Sequence, residues 1–132
     1  MNDIKVIRFD NLHDIELPHV FECGQCFRWN ECEDGSYIGV AGGHAAHVSL
    51  EHDGDSCSLI IECTGGSEKY WHSYFDLDTD YGAMKKALLA GEPKLAKSID
   101  VCHGIRILNQ DYWEVLISFI VSQNNNIPRI KK

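Results

Sequence analysis

Apolar and polar positions alternate through the first half of the chain, and the second half switches to helical spacing. Residues 4–9 alternate over a short run, and residues 12–17 form a second apolar stretch able to pair with it. Residues 26–30 place Phe27 and Trp29 on one face and Arg28 and Asn30 on the other. Residues 37–40 follow Asp34-Gly35, a strong hairpin signal, and Gly42-Gly43 makes a second turn. Ala46, Val48 and Leu50 then alternate with His47 and Ser49. After a turn at Asp53-Gly54, Leu59, Ile61 and Cys63 alternate with Ile60 and Glu62. Strands joined by such turns predict an antiparallel meander.

In the second half, Ser67 is positioned to cap a short helix in which Tyr70–Tyr74 and Trp71–Phe75 stack at i,i+4. Asp78 or Asp80 caps the next, with Tyr81, Met84 and Leu88 on one face and Gly91 at its end. Pro93 opens another, with Leu95 and Ile99 inward and Gly104 closing it. A short extended link over residues 105–108 leads to Asp111, with Glu114 three residues on as a capping-box partner. Trp113, Leu116, Ile117 and Ile120 form the main stripe of this last helix, and Val115, Phe119 and Val121 cover most of the rest. A helix apolar nearly all round is buried on all sides, which one small sheet cannot do. Something outside these elements is expected to cover it.

Composition narrows the class. The 132 residues, 44% of them hydrophobic, suffice for one cored domain rather than two. No apolar run of about 18 residues is present, so no membrane span is expected. The N-terminal residues Met1-Asn2-Asp3-Ile4-Lys5 lack a signal-peptide pattern, and a cytoplasmic protein is expected. The six cysteines read as reduced thiols packed as small hydrophobes. A net charge of −8 is the wrong sign for a self-sufficient nucleic-acid binder, since phosphate contacts dominate that affinity. The local basic cluster is Arg129, Lys131 and Lys132.

Candidate chemistry is sparse. Cys23-Gly24-Gln25-Cys26 is a C-x-x-C, but zinc needs two more ligands at sensible spacing. Cys57 with Cys63, and His44 with His47, make no convincing second half. A redox C-x-x-C expects a strand-to-helix setting, whereas this one enters a strand. No metal or other cofactor is expected. The remaining histidines are scattered without a nucleophile, and the acids at Asp76, Asp78 and Asp80 suit helix capping better than a calcium loop.

Two segments stand apart. Residues 24–29 taken alone are a turn into a strand. In residues 122–129 three asparagines break the apolar helix before Pro128 and Arg129 restart a basic one. Asparagine carries two N–H donors and an acceptor on a short arm. A row of them at a helix break suits insertion into an opened duplex, where orphaned base edges need partners.

Gly-Gln-Cys-Phe-Arg-Trp at 24–29 resembles the Gly-Gln-Ser-Phe-Arg-Trp element of the 8-oxoguanine DNA glycosylases. Residues 104–111, Gly-Ile-Arg-Ile-Leu-Asn-Gln-Asp, look like the family's lead-in to its helical domain, and residues 118–130 like its DNA-probing segment. The resemblance runs from about Asp10 to Lys132. It implies an α+β fold: a twisted antiparallel sheet with packed helices, similar to half of a TATA-binding protein, followed by the start of an all-α domain. Residues 1–108 would be that N-terminal domain. Residues 109–132 would open a truncated helix-hairpin-helix glycosylase domain. The implied activity is excision of 8-oxoguanine opposite cytosine from double-stranded DNA in base-excision repair, with lyase activity at the abasic site, by a nucleoid-associated monomer. The lesion is flipped from the stack and a Lys amine attacks the sugar. That Lys and its assisting Asp have no matching position here, so no catalytic residue is assigned and the chain alone is expected to be inactive.

The resemblance also implies recognition residues. Gly24 matches the glycine whose backbone carbonyl reads the lesion. Guanine N7 is an acceptor, and oxidation at C8 turns it into a donor that an acceptor-only carbonyl attracts. Asn124 matches the asparagine that fills the gap left by the flipped base and contacts the orphaned cytosine. Arg129 matches an arginine that reads the same cytosine. Asn125 and Asn126 hold the kinked backbone or reach the DNA strand. Cys26 and Gln123 depart from the family's usual Ser or small residues, and Pro128 from its frequent Ala. A different class of function stays open: a stand-alone interaction module that docks a partner through the apolar helix at 113–121.

Overall fold

A computed structural model describes residues 3–131; Met1 and Asn2 of the N-terminal pattern, and Lys132 of the basic cluster, lie outside the described residues. Five strands form one antiparallel sheet: β1 (Lys5–Leu12), β2 (Trp29–Glu31), β3 (Tyr37–Ala41), β4 (His44–Asp53) and β5 (Ser56–Cys63), in the spatial order β1-β5-β4-β3-β2. The glycine turns produce the expected meander from β2 to β5. Gly35, Gly42, Gly43 and Gly54 at these turns all have positive φ, which glycine adopts without a Cβ clash.

Two strand expectations need correction. Residues 12–17 do not pair with the first strand; β1 pairs with β5, Ile7 opposite Ile61. The chain instead enters a five-residue helix, α1 (Leu17–Phe21), with Pro18 in its first turn. Between Phe9 and Leu12 the register shifts by one residue, and Asn11 sits in the left-handed region at φ 56°. This bulge keeps Ile7, Phe9 and Leu12 on the core face. At residues 26–30 only Trp29 and Asn30 enter the ladder, in β2.

One face of the sheet carries the core. Ile7, Trp29, Tyr37, Ala46, Val48, Leu59, Ile61 and Cys63 meet Leu17, Val20 and Phe21 of α1 and Trp71, Tyr74 and Phe75 of α2 (Glu68–Tyr74) with its C-cap. Phe21 stacks on Trp29 with centroids 4.5 Å apart, and the Trp29 indole N–H donates to the Tyr74 hydroxyl at 3.0 Å. Ser67 caps α2, and Tyr70–Tyr74 and Trp71–Phe75 stack as the i,i+4 spacing predicts. The result is a two-layer α+β arrangement with its other sheet face toward solvent.

The remaining helices are peripheral. Asp80, not Asp78, caps α3 (Tyr81–Gly91). A short 3₁₀ turn at Pro93–Leu95 leads into α4 (Ala96–Val101). Met84, Leu88 and Leu95 are exposed rather than inward, and Ile99 is half-buried. The link at 105–108 is pinned hard. Arg106 is buried, and its guanidinium donates to the carbonyls of Asp76 (2.8 Å) and His13 (2.9 Å) while lying over the Tyr81 ring. Burial lowers its pKa. Among the described residues no helix is long and apolar enough to cross a membrane.

Candidate nucleic-acid interface

The two segments singled out by sequence lie about a hundred residues apart, and the fold ties their surroundings together. Gly24 sits in the exposed loop between α1 and β2 with φ 87°. A Cβ there would meet nothing within 4 Å, so the limit on other residues is backbone strain, not space. Among the described residues no hydrogen bond reaches the Gly24 carbonyl, whereas its neighbour Gln25 is fully engaged. The Gln25 amide donates to the carbonyls of Val20 (2.8 Å) and Arg106 (2.7 Å) and accepts from the Leu108 N–H (2.9 Å). The Gln25 backbone carbonyl accepts from the Gln110 amide at 2.7 Å. The loop is thereby fixed on α1 and on the 105–110 link.

The C-terminal arm comprises α5 (Tyr112–Ser122) and α6 (Ile127–Ile130). Asp111 caps α5 by accepting from the Glu114 N–H. The Glu114 carboxylate does not close the expected capping box; it pairs with Arg28 at 3.3 Å, joining α5 to the Gly24–Trp29 segment. At the far end Lys131 donates to the Trp29 carbonyl at 2.9 Å and pairs with Glu22 at 3.3 Å. These two residues flank the Gly24 loop. A shallow cleft lies between the segments, with Phe27, Arg28 and Asn30 on one side and Ile117, Val121 and Ile130 on the other. Trp29 itself is core, and Phe27 is half-buried at this cleft. The roles of Gln25, Glu114 and Lys131 were missed by sequence reasoning, because each is a long-range tie without a local pattern.

The asparagines divide by role. Asn126 caps α6, its side chain accepting from the Arg129 N–H at 3.1 Å. Asn125 donates to the Val121 carbonyl and accepts from the Asn126 N–H, which holds the kink. Asn124 stands in the left-handed region at φ 54°, a conformation asparagine tolerates better than most residues. Among the described residues its side chain, like the Arg129 guanidinium, makes no hydrogen bond. Both are exposed. The backbone work of the triplet thus falls on Asn125 and Asn126.

The C-x-x-C thiols are turned to α1. Cys23 donates to the Val20 carbonyl and Cys26 to that of Phe21. Burial pushes the Cys26 thiol up to about 12, which disfavours the thiolate that a ligand or redox nucleophile requires.

Residues 7–116 match the 8-oxoguanine DNA glycosylase, N-terminal domain. The chain belongs to this family. It is 28% identical over 122 residues to the N-glycosylase/DNA lyase OGG1 of Arabidopsis thaliana, covering 90% of this chain and 33% of that protein. It is 31% identical over 134 positions to the N-glycosylase/DNA lyase of Saccharomyces cerevisiae, covering 92% and 35%. The structure of MBOgg1 in complex with a low-affinity DNA ligand aligns with a TM-score of 0.86 at 46% identity, over 98% of this chain and 45% of that one. The 8-oxoguanine glycosylase/lyase of Clostridium acetobutylicum, solved with double-stranded DNA containing cytosine opposite 8-oxoG, aligns with a TM-score of 0.80 at 40% identity, over 100% and 47%. The chain spans between a third and a half of the length of these family members.

Proposed function

We propose that the chain is the DNA- and lesion-recognition part of a repair enzyme that excises 8-oxoguanine opposite cytosine and cleaves at the abasic site. In this reading residues 1–108 are the N-terminal domain, its sheet a TATA-binding-protein-like platform, and residues 109–132 open the helix-hairpin-helix glycosylase domain. The observation that carries the reading is the tying of the Gly24 loop to the α5–α6 arm through Gln110, Glu114 and Lys131. Double-stranded DNA gripped there would meet two inspection points held in one frame. The Gly24 carbonyl faces the extruded base, accepting from the N7 hydrogen that 8-oxoguanine has and guanine lacks. Asn124 and Arg129 face the strand left behind, where the cytosine edge offers an N4 donor to the asparagine oxygen and acceptors to the guanidinium.

The attacking Lys and its Asp belong outside these 132 residues. Lys131 is committed to Trp29 and Glu22, which supports a structural role for it. The apolar surface of α5 supports the same division, since Trp113, Phe119 and Ile120 are 58–69% exposed and suit cover by further helices. That exposure also favours a second reading, partner docking through residues 113–121.

The test is excision of 8-oxoguanine from a duplex with cytosine opposite. The full-length gene product is expected to release the base and nick the strand, and the 132-residue chain to do neither. A measurable rate from the chain alone would place the chemistry here and overturn the division.

A further inference from the structure

On the solvent face of the sheet three different metal-ligating side chains converge. Cys32 and Asp34 lie at the β2–β3 turn and His47 on β4, and their ligand atoms (one thiol sulfur, one carboxylate oxygen, one imidazole nitrogen) are all within 4.8 Å of one another. A tetrahedral zinc ion places such ligand atoms about 3.3–3.8 Å apart, so a closure of about 1 Å at the tip of a hairpin completes the geometry.

A second, separate feature points the same way. The His47 Nδ1 faces the Glu62 carboxylate at 2.9 Å, across the β4–β5 ladder where the two residues are direct partners. A zinc-bound histidine characteristically gives its other ring N–H to a carboxylate, which fixes the tautomer and orients the ring. The other ring nitrogen, Nε2, lies 2.7 Å from the Ser36 hydroxyl, on the side of Asp34 and Cys32.

We infer that Cys32, Asp34 and His47 form a zinc site, with Glu62 orienting His47 and water or the Ser36 hydroxyl as fourth ligand. The donor set of thiolate, imidazole and carboxylate selects zinc over magnesium or calcium, which take oxygen ligands. Binding releases the Cys32 thiol proton. The ion's two charges are then balanced by the Cys32 thiolate and the Asp34 carboxylate. A hydrolytic Ser36–His47–Glu62 triad fits less well. Ser36 is buried, and its hydroxyl is also bonded to Asp34, which leaves no approach for a substrate carbonyl.

The experiment is titration of the reduced full chain with zinc, followed by calorimetry, and with cobalt(II), followed by the thiolate-to-metal absorption band. One ion per chain and a clear band are expected. Cys32→Ser should abolish the band. Glu62→Gln should keep the band and weaken zinc binding about 10–100-fold. The Cys23→Ser/Cys26→Ser double variant should change neither. Circular dichroism of each variant without metal checks the fold, and in the unmutated chain zinc should protect Cys32 from alkylation. Absence of stoichiometric binding overturns the proposal, as does a band that survives Cys32→Ser or an alkylation rate at Cys32 that zinc leaves unchanged.

Discussion

The side-chain amide of Gln25 joins two backbone segments at three points: the end of α1 at Val20, and the link at both Arg106 and Leu108. No other residue type offers two donors and an acceptor on an arm of that length. Removing it leaves backbone groups of a half-buried seam without partners. Gln25→Ala is therefore expected to cost about 1–3 kcal/mol of stability. Urea denaturation of the chain followed by tryptophan fluorescence measures this, and an unchanged midpoint would show that water replaces the amide. The residue beside it, Gly24, supplies only a positive φ and a carbonyl. In that pairing a fully bonded side chain fixes the position of an unbonded acceptor. Arg106 acts similarly within the link, where a single guanidinium replaces a small core by satisfying carbonyls from two separate loops.

At the scale of elements, the kink between α5 and α6 is built from asparagines with different tasks. Asn124 holds a positive φ, Asn125 bonds back to Val121, and Asn126 caps α6. Two substitutions separate conformation from chemistry. Asn124→Gly frees the left-handed turn of the Cβ, whereas Asn124→Ala keeps the Cβ there and removes only the amide, at a cost of about 1–2 kcal/mol relative to glycine. Thermal melts should show the alanine variant less stable than the glycine variant, while both remove the amide proposed to meet the opposite strand. Equal melting temperatures would mean that the kink relaxes without strain. The strands and the caps at Ser67, Asp80 and Asp111 were legible in the sequence, because period-two alternation and capping chemistry are local. Helix α1 was not legible. It has five residues and no side-chain N-cap, and its apolar positions Ile15 and Leu17 alternate like a strand. The β1–β5 pairing was also hidden, since its register depends on partners fifty residues away and on a bulge at Asn11. Of the candidate interface, the residue types at Gly24, Asn124 and Arg129 stand out as motif. The struts that frame them were not.

For the whole molecule, charge and apolar surface point to a part that works with more protein. The net charge of −8 opposes binding to a polyanion, and the exposed face of α5 opposes solubility of the arm on its own. In isolation the arm is held to the domain by the Arg28–Glu114 and Lys131–Glu22 pairs and the Lys131–Trp29 hydrogen bond. Partly exposed ion pairs of this kind contribute roughly 0–1 kcal/mol each. Limited proteolysis of the chain alone is therefore expected to cut beyond Asp111 while the sheet and α1–α2 survive. Full protection of residues 112–131 would favour a self-sufficient module instead. If base and opposite strand are inspected from one tied frame, opposite-base preference depends on the arm that reads the opposite strand. The full-length gene product should excise 8-oxoguanine opposite cytosine in preference to 8-oxoguanine opposite adenine. Arg129→Ala should reduce that preference by about 1–3 kcal/mol, the usual worth of a good base contact. A preference unchanged by Arg129→Ala would contradict the assignment.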